Sequence, residues 1–516
     1  MPAIEKKPEP GVYALAAPRA AFPWAADLGD GTYRNPILHA DYSDPDVIRA
    51  GDDFFMTASS FNCTPGLPIL HSRDLVNWSL INHAVKNLPH PRYDQCQPGC
   101  GVWAPAIRFQ DGKFWIVFPM PDEGIYVTTA KHPAEKWSEP RLLQAGKGLI
   151  DPCPFWDDDG HAYLVHAYAG SRAGIKHRLR VCPMAWDGSR LLDEGRVVFH
   201  EPEKHPTIEG PKFLKREGWY YILAPAGGVE AGWQVALRSR QVYGPYEDKI
   251  VLAQGKTPVN GPHQGALVDA PDGRWWFVHF QDAGFHGRIV HLQPVRWEAG
   301  WPVMGRNGEP VRYHPKPLNG AVRGGGAPQT SDEFDGAELG LQWQWHANHK
   351  DEWFSLTARP GHLRLHTQPA TAHANRLPNL LLQKFPAPGF TVETSLDFSP
   401  CQEGEEAGLI ITGQSWAAIS LRRTGGRNQL WLRRDDTEAM LLADAGGQLR
   451  LRAAVNLHGT CRFSFALAGE FTTVPDTFIA TKGVWIGAKT GIFATGRAAN
   501  GDGGHADFDY FRFMGG

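Results

Sequence analysis

Glu209-Gly-Pro-Lys-Phe-Leu-Lys-Arg-Glu-Gly-Trp-Tyr-Tyr-Ile-Leu223 opens on a carboxylate, runs through a short strand, turns, and continues as an aromatic-rich strand. The Glu217-Gly218 pair has the chemistry of a two-residue hairpin, where φ must be positive. Four other segments follow the same plan. They are Asp44-Pro-Asp-Val-Ile-Arg-Ala-Gly-Asp-Asp-Phe-Phe-Met56, Trp103-Ala-Pro-Ala-Ile-Arg-Phe-Gln-Asp-Gly-Lys-Phe-Trp-Ile-Val117, Asp151-Pro-Cys-Pro-Phe-Trp-Asp-Asp-Asp-Gly-His-Ala-Tyr-Leu-Val165 and His263-Gln-Gly-Ala-Leu-Val-Asp-Ala-Pro-Asp-Gly-Arg-Trp-Trp-Phe-Val278. Gly112, Gly160 and Gly218 each lie nine residues after the opening residue, as Asp53 does in the first copy, and Gly273 lies ten after.

The opening residues are spaced 59, 48, 58 and 54 apart. A repeat near 50 residues, with two clear strands and room for two more, is the signature of a propeller blade. Five copies predict a five-bladed β-propeller over residues 34–315, after an N-terminal extension 1–33. The run Asp157-Asp-Asp-Gly160 falls at the hairpin position and reads as a turn rather than a calcium loop.

The composition of the 516 residues agrees. Gly (57), Pro (41), Trp (19), Tyr (13) and Phe (26) are abundant, and only 21% of residues are charged. That is the profile of short strands joined by tight turns. A net charge of −3 without a basic block argues against nucleic acid. No apolar stretch is long enough for a membrane-spanning helix. The first residues lack the apolar core of a signal peptide, which leaves the compartment open between intracellular and periplasmic. Seven cysteines without a CxxC pair are no disulfide framework, and Cys96 and Cys100 read as reduced.

Inner strands of a propeller run along its axis, so equivalent positions at their starts form a ring at one mouth. Asp44, Trp103, Asp151, Glu209 and His263 are expected there. Three carboxylates in one small space raise each other's pKa and contribute nothing to folding. Such convergence points to function. Two chemistries fit: a hard-cation site, or acid–base cleavage of a glycosidic bond. The Trp and the aromatic surroundings favour a sugar, because aromatic faces stack on sugar rings.

An ordered set of motifs then matches a family. Arg34-Asn-Pro-Ile-Leu-His-Ala-Asp-Tyr-Ser-Asp-Pro-Asp-Val-Ile48, Ile69-Leu-His-Ser-Arg-Asp-Leu-Val-Asn-Trp78, Gly101-Val-Trp-Ala-Pro-Ala-Ile-Arg108, Ile150-Asp-Pro152, Ile208-Glu-Gly-Pro211 and Gly287-Arg-Ile-Val-His-Leu-Gln-Pro-Val-Arg-Trp297 resemble glycoside hydrolase family 43. The resemblance implies an inverting glycosidase. Asp44 would be the general base, Glu209 the general acid, and Asp151 the carboxylate that raises the pKa of Glu209. Asp46, two residues on, reads as a buried hydrogen-bonding carboxylate. Arg288 would reach into the sugar pocket and pair with the cluster. Trp103 would wall that pocket, with Phe61 a weaker candidate. His263 resembles a channel histidine that contacts substrate or lies near a calcium ion through water.

Residues 316–330 have linker composition. From 331 to 516, period-two strands predict a β-sandwich. Ser331-Asp-Glu-Phe-Asp335 and Leu341-Gln-Trp-Gln-Trp345 resemble the concanavalin-like C-terminal domain of xylosidases, which can lend a loop to the active-site rim. Asp335 and Asp509 are weak candidates for a structural Ca²⁺, and no cofactor is expected in the chemistry. The resemblance implies release of terminal xylose from xylo-oligosaccharides or arabinoxylan-derived oligosaccharides. The alternatives are α-L-arabinofuranosidase activity and a non-catalytic carbohydrate-binding propeller.

Overall fold

The structure, a computed structural model, describes residues 24–318, 326–435, 439–497 and 503–515. Most of the N-terminal extension and the middle of the linker lie outside these residues. The chain forms a five-bladed β-propeller followed by a β-sandwich.

Each blade is a four-stranded antiparallel sheet built from one contiguous stretch of chain. Blade 1 comprises Asp46–Ala50, Asp53–Thr57, Gly66–Ser72 and Ser79–Val85. Blade 2 comprises Ala106–Gln110, Lys113–Met120, Gly124–Ala130 and Arg141–Ala145. Blade 3 comprises Leu149–Trp156, Ala162–Tyr168, Leu179–Met184 and Arg196–Phe199. Blade 4 comprises Lys212–Arg216, Trp219–Ala226, Trp233–Ser239 and Glu247–Ala253. Blade 5 comprises His263–Asp269, Trp275–Asp282, Arg288–Glu298 and Trp301–Met304. Aromatic and branched residues fill a separate apolar core between each pair of neighbouring blades. Thr32–Arg34 pairs with Tyr313–Pro315 and fastens the start of the propeller to its end.

Two hairpins form as expected. Asp111-Gly112 and Glu217-Gly218 both place two residues at positive φ between directly paired strands. Three differ. Blade 1 turns at Gly51-Asp52, so Asp53 already belongs to the second strand. Blades 3 and 5 use longer loops, 157–161 and 270–274. There Asp157 is held by Lys215 (2.6 Å) and Tyr220 (2.6 Å), as a structural carboxylate rather than a cation ligand.

The expected ring also needs a change of register. Positive φ marks the same corner at Asp44 (54°), Asp151 (56°), Gly210 (59°) and Gln264 (30°). In the first three the next residue is proline. Glu209 and His263 therefore sit one position before the true equivalents of Asp44 and Asp151. At Glu209 the count from the turn glycine misleads because blade 4 has a two-residue turn where blade 3 has a five-residue loop.

The sandwich stacks an eight-stranded sheet on a seven-stranded sheet around one large core. Period-two alternation lines that core, as in Phe390–Ser399 and Gln448–Val455. The two domains are stitched together: Thr64 and Trp345 exchange backbone hydrogen bonds (3.0 and 2.6 Å), and the Asn62 amide donates to the His346 carbonyl. All seven cysteines are free, Cys96 and Cys100 included.

Candidate active site

Asp44 sits at the corner leading into the first strand of blade 1. It is 5% exposed. The Ser43 (2.7 Å) and Ser59 (2.5 Å) hydroxyls both donate to its Oδ2. Arg288 Nη1 donates to both oxygens, at 2.9 and 3.1 Å, and to Ser43 Oγ at 2.8 Å. Arg288 is buried and begins the third strand of blade 5. Its own N–H donates to Asp41 Oδ1 (2.9 Å), whose Oδ2 accepts the N–H of Gly487 from the sandwich (2.9 Å). Gly287 is required beside this clamp, since a Cβ there would fall 2.6 Å from Asp41. Asp44 is thus a carboxylate whose charge is compensated and whose orientation is fixed.

Asp151 occupies the same corner on blade 3 and is 4% exposed. Its Oδ2 accepts the Gly210 N–H at 2.8 Å. Burial and the neighbouring Glu209 charge push its carboxyl up to about 8, with Asp44 adding to the shift. The Glu209 side chain is more open, 29% exposed, with Oε1 3.1 Å from His263 Nε2.

His263 is completely buried, and its ring lies 5.4 Å from Phe280. It backs Glu209 rather than facing the mouth. Its Nδ1 has no hydrogen-bond partner. A lone imidazole nitrogen is a poor set of donors for a hard cation, which takes six to eight oxygens. Among the described residues no group of three or more His, Cys, Asp or Glu side chains could hold a metal ion. Asp335 and Asp509 are both exposed and form no such group. Asp46 points away from the mouth: it is fully buried, bonded to the Ile107 N–H (2.7 Å) and Arg108 (2.7 Å), with Lys212 at 3.7 Å.

Trp103 is held by its Nε1–H, which donates to the Gly99 carbonyl (3.1 Å). The Phe61 ring lies 6.3 Å from it, 2% exposed, as a backing rather than an open face. Three partners were not foreseen from the sequence. Arg172 covers the Trp103 ring at 4.9 Å. Trp485, from the sandwich, meets Trp103 edge-on at 6.1 Å and lies 5.8 Å from the Arg288 guanidinium. Ser59 holds Asp44. Trp485 is 46% exposed at φ 66°, a strained conformation for a large residue. Its flanks, Gly483 and Gly487, were a visible hint of a tight loop.

The propeller and the sandwich each match a family model. Residues 33–302 match glycosyl hydrolases family 43, and residues 331–514 match the β-xylosidase C-terminal concanavalin A-like domain. A Xylanibacter ruminicola protein, provisionally named a β-xylosidase, is 41% identical over 477 residues, covering 91% of this chain and 87% of its own. A non-reducing end α-L-arabinofuranosidase of Bacteroides ovatus is 30% identical over 538 residues, covering 95% and 96%. The crystal structure of a family 43 protein from Bacillus licheniformis superposes with a TM-score of 0.83 at 26% identity, covering 94% of this chain and all of that one.

Proposed function

The chain belongs to glycosyl hydrolases family 43, whose members invert, and we propose that it is an exo-acting β-D-xylosidase that removes terminal xylose from xylo-oligosaccharides. The observation that carries this reading is the opposite setting of two carboxylates: Asp44 clamped by Arg288, and Asp151 raised by burial and by the charge of Glu209 beside it.

In the proposed mechanism the terminal sugar rests against Trp103, with Trp485 closing the rim. Asp44 takes a proton from water on one side of the anomeric carbon. Arg288 and the two serines hold its carboxylate in a fixed orientation for that step. Glu209 protonates the leaving oxygen on the other side. Asp151, its own carboxyl pushed up to about 8 by burial and the Glu209 charge, stands beside this acid. Inversion needs room for water, so the Asp44 and Glu209 carboxyls should stand about 6.5–9.5 Å apart when substrate is bound. No cofactor enters these steps. An aromatic rim supplied by a second domain suits a pocket that accepts a chain end.

The second domain matches the β-xylosidase C-terminal model, and two of the similar proteins are named β-xylosidases. Nitrophenyl β-D-xyloside and nitrophenyl α-L-arabinofuranoside, assayed side by side, test the reading. A higher kcat/KM on the xyloside is expected. The reverse order would make the protein an arabinofuranosidase. Tight binding of xylo-oligosaccharide without turnover of either glycoside would make it a lectin.

A further inference from the structure

We propose that the leaving-group side of the mouth recognises a negatively charged oligosaccharide, one that carries a uronic acid carboxylate beside the terminal xylose. The inference rests on the hydrolase reading above and adds a substrate class to it.

The carrier is the turn 169–178, between Ala162–Tyr168 and Leu179–Met184 of blade 3. The first strand of a blade leaves the mouth and the second returns to it, so this turn lies on the mouth. It contains Arg172, Lys176, His177 and Arg178. At one end, Arg172 covers the Trp103 ring and donates to the Gly99 carbonyl (3.4 Å). At the other, His177 Nδ1 accepts the N–H of Thr207 (2.5 Å), two residues before Glu209. The turn therefore spans from the sugar wall to the proposed acid. Lys176 lays its stem over Gly170, where a Cβ would come 3.2 Å from Lys176 Cδ, and its ammonium is exposed.

These charges are poorly compensated. The carboxylate facing Arg172 is Asp122, at 3.8 Å, and Asp122 is shared with Arg92 (3.7 Å). Among the described residues neither Lys176 nor Arg178 makes an ion pair, and Arg178 Nε is buried with no hydrogen-bond partner. Basic groups beside the other carboxylates of the propeller are paired, as Arg108 is with Asp46 and Lys215 with Asp157. The field at the turn is felt locally: after burial, Lys176, His200 and Arg178 hold His177 below its ordinary range, against Glu209. Lys176 and Arg178 are thus unpaired cations in the turn that reaches the proposed acid. A substrate carboxylate would neutralise them where the leaving group sits. It would also be steered in by them, an effect that salt removes. Neutral xylo-oligosaccharides offer only hydroxyls to such a surface.

The test compares xylotriose bearing one glucuronosyl side group with its methyl ester, which has the same bonds and no charge. Wild-type enzyme should show a higher kcat/KM for the acid than for the ester at low salt. The ratio should fall toward one near 1 M NaCl, where the Debye length is about 3 Å. Lys176→Glu, an exposed change, should lower the acid-to-ester ratio about fivefold, and Lys176→Arg should keep it. Arg178→Gln should lower it in the same direction. An acid-to-ester ratio of one in wild type, or a ratio untouched by Lys176→Glu and by salt, overturns the proposal. Unsubstituted xylotriose is the separate control: failure of wild type to cleave it would sink the hydrolase reading instead.

Discussion

Asp44 and Asp151 occupy the same position of the repeat on different blades. Both turn a left-handed corner before a proline, at φ 54° and 56°, and both are about equally buried. Their surroundings are opposite. Asp44 meets a guanidinium and two hydroxyls, contributed in part by blade 5. Asp151 meets one backbone N–H and a second carboxyl from the neighbouring blade 4. The repeat thus supplies position, and the adjoining blades supply chemistry. One copy is clamped by a guanidinium, and the other is a carboxyl raised by burial and a neighbouring charge.

Removing the charge at Asp44 should produce the largest effect. Asp44→Asn keeps the shape and the Arg288 contact but cannot take a proton, and kcat on xylobiose should fall about 10³-fold. A loss under tenfold would mean that the two corners are not chemically distinct.

Asp151→Asn sharpens the comparison through pH. Asp151, raised to about 8, predicts a fall in activity near pH 8 in wild type as it ionises beside Glu209. Without that carboxyl the fall near pH 8 should disappear, with a smaller loss of kcat than at Asp44. The same change should alter stability. The folded pKa of Asp151 lies above its ordinary 3.8. The folded state therefore binds more protons than the unfolded state between those values, and stability falls as pH rises from about 4 to about 8. Asp151→Asn should abolish this loss and raise Tm relative to wild type at pH 8 and above. Equal Tm differences at pH 4 and pH 9 would contradict the assignment.

The smallest effect is expected at the rim. Trp485→Ala removes an aromatic edge but no reacting group, so KM should rise about threefold with kcat within twofold. A collapse of kcat would place Trp485 nearer the chemistry than its contact with Trp103 suggests.

Much of this site was legible in the sequence because it repeats. The prolines after Asp44 and Asp151, the Glu-Gly-Pro run at 209–211 and the hairpin glycines all carry local backbone constraints. Arg288 was legible only through family resemblance, since its pairing with Asp44 spans 244 positions. Arg172 and Trp485 were missed for the same reason, whereas Ser59 lies only 15 positions from Asp44 but at a place the repeat does not mark. The Asp41 clamp joins the propeller to Gly487 across 446 positions, and no periodicity encodes such a contact. The register error at Glu209 and His263 had a different origin. In blade 4 a two-residue turn stands where blade 3 has a five-residue loop, so equal counts land one residue apart. In blade 5 the loop matches that of blade 3, and the ten-residue spacing of Gly273 already pointed to Gln264.

The division of labour between the two corners is tested most directly by leaving-group dependence. Glu209→Ala and Asp44→Ala should each be assayed on xylobiose and on dinitrophenyl β-D-xyloside, whose leaving group departs without protonation. Glu209→Ala should lose xylobiose hydrolysis and keep most of its rate on the dinitrophenyl substrate. Asp44→Ala should lose both, because water activation is needed in either case. Equal losses on the two substrates in Glu209→Ala, or retained dinitrophenyl hydrolysis in Asp44→Ala, would contradict the proposed acid and base.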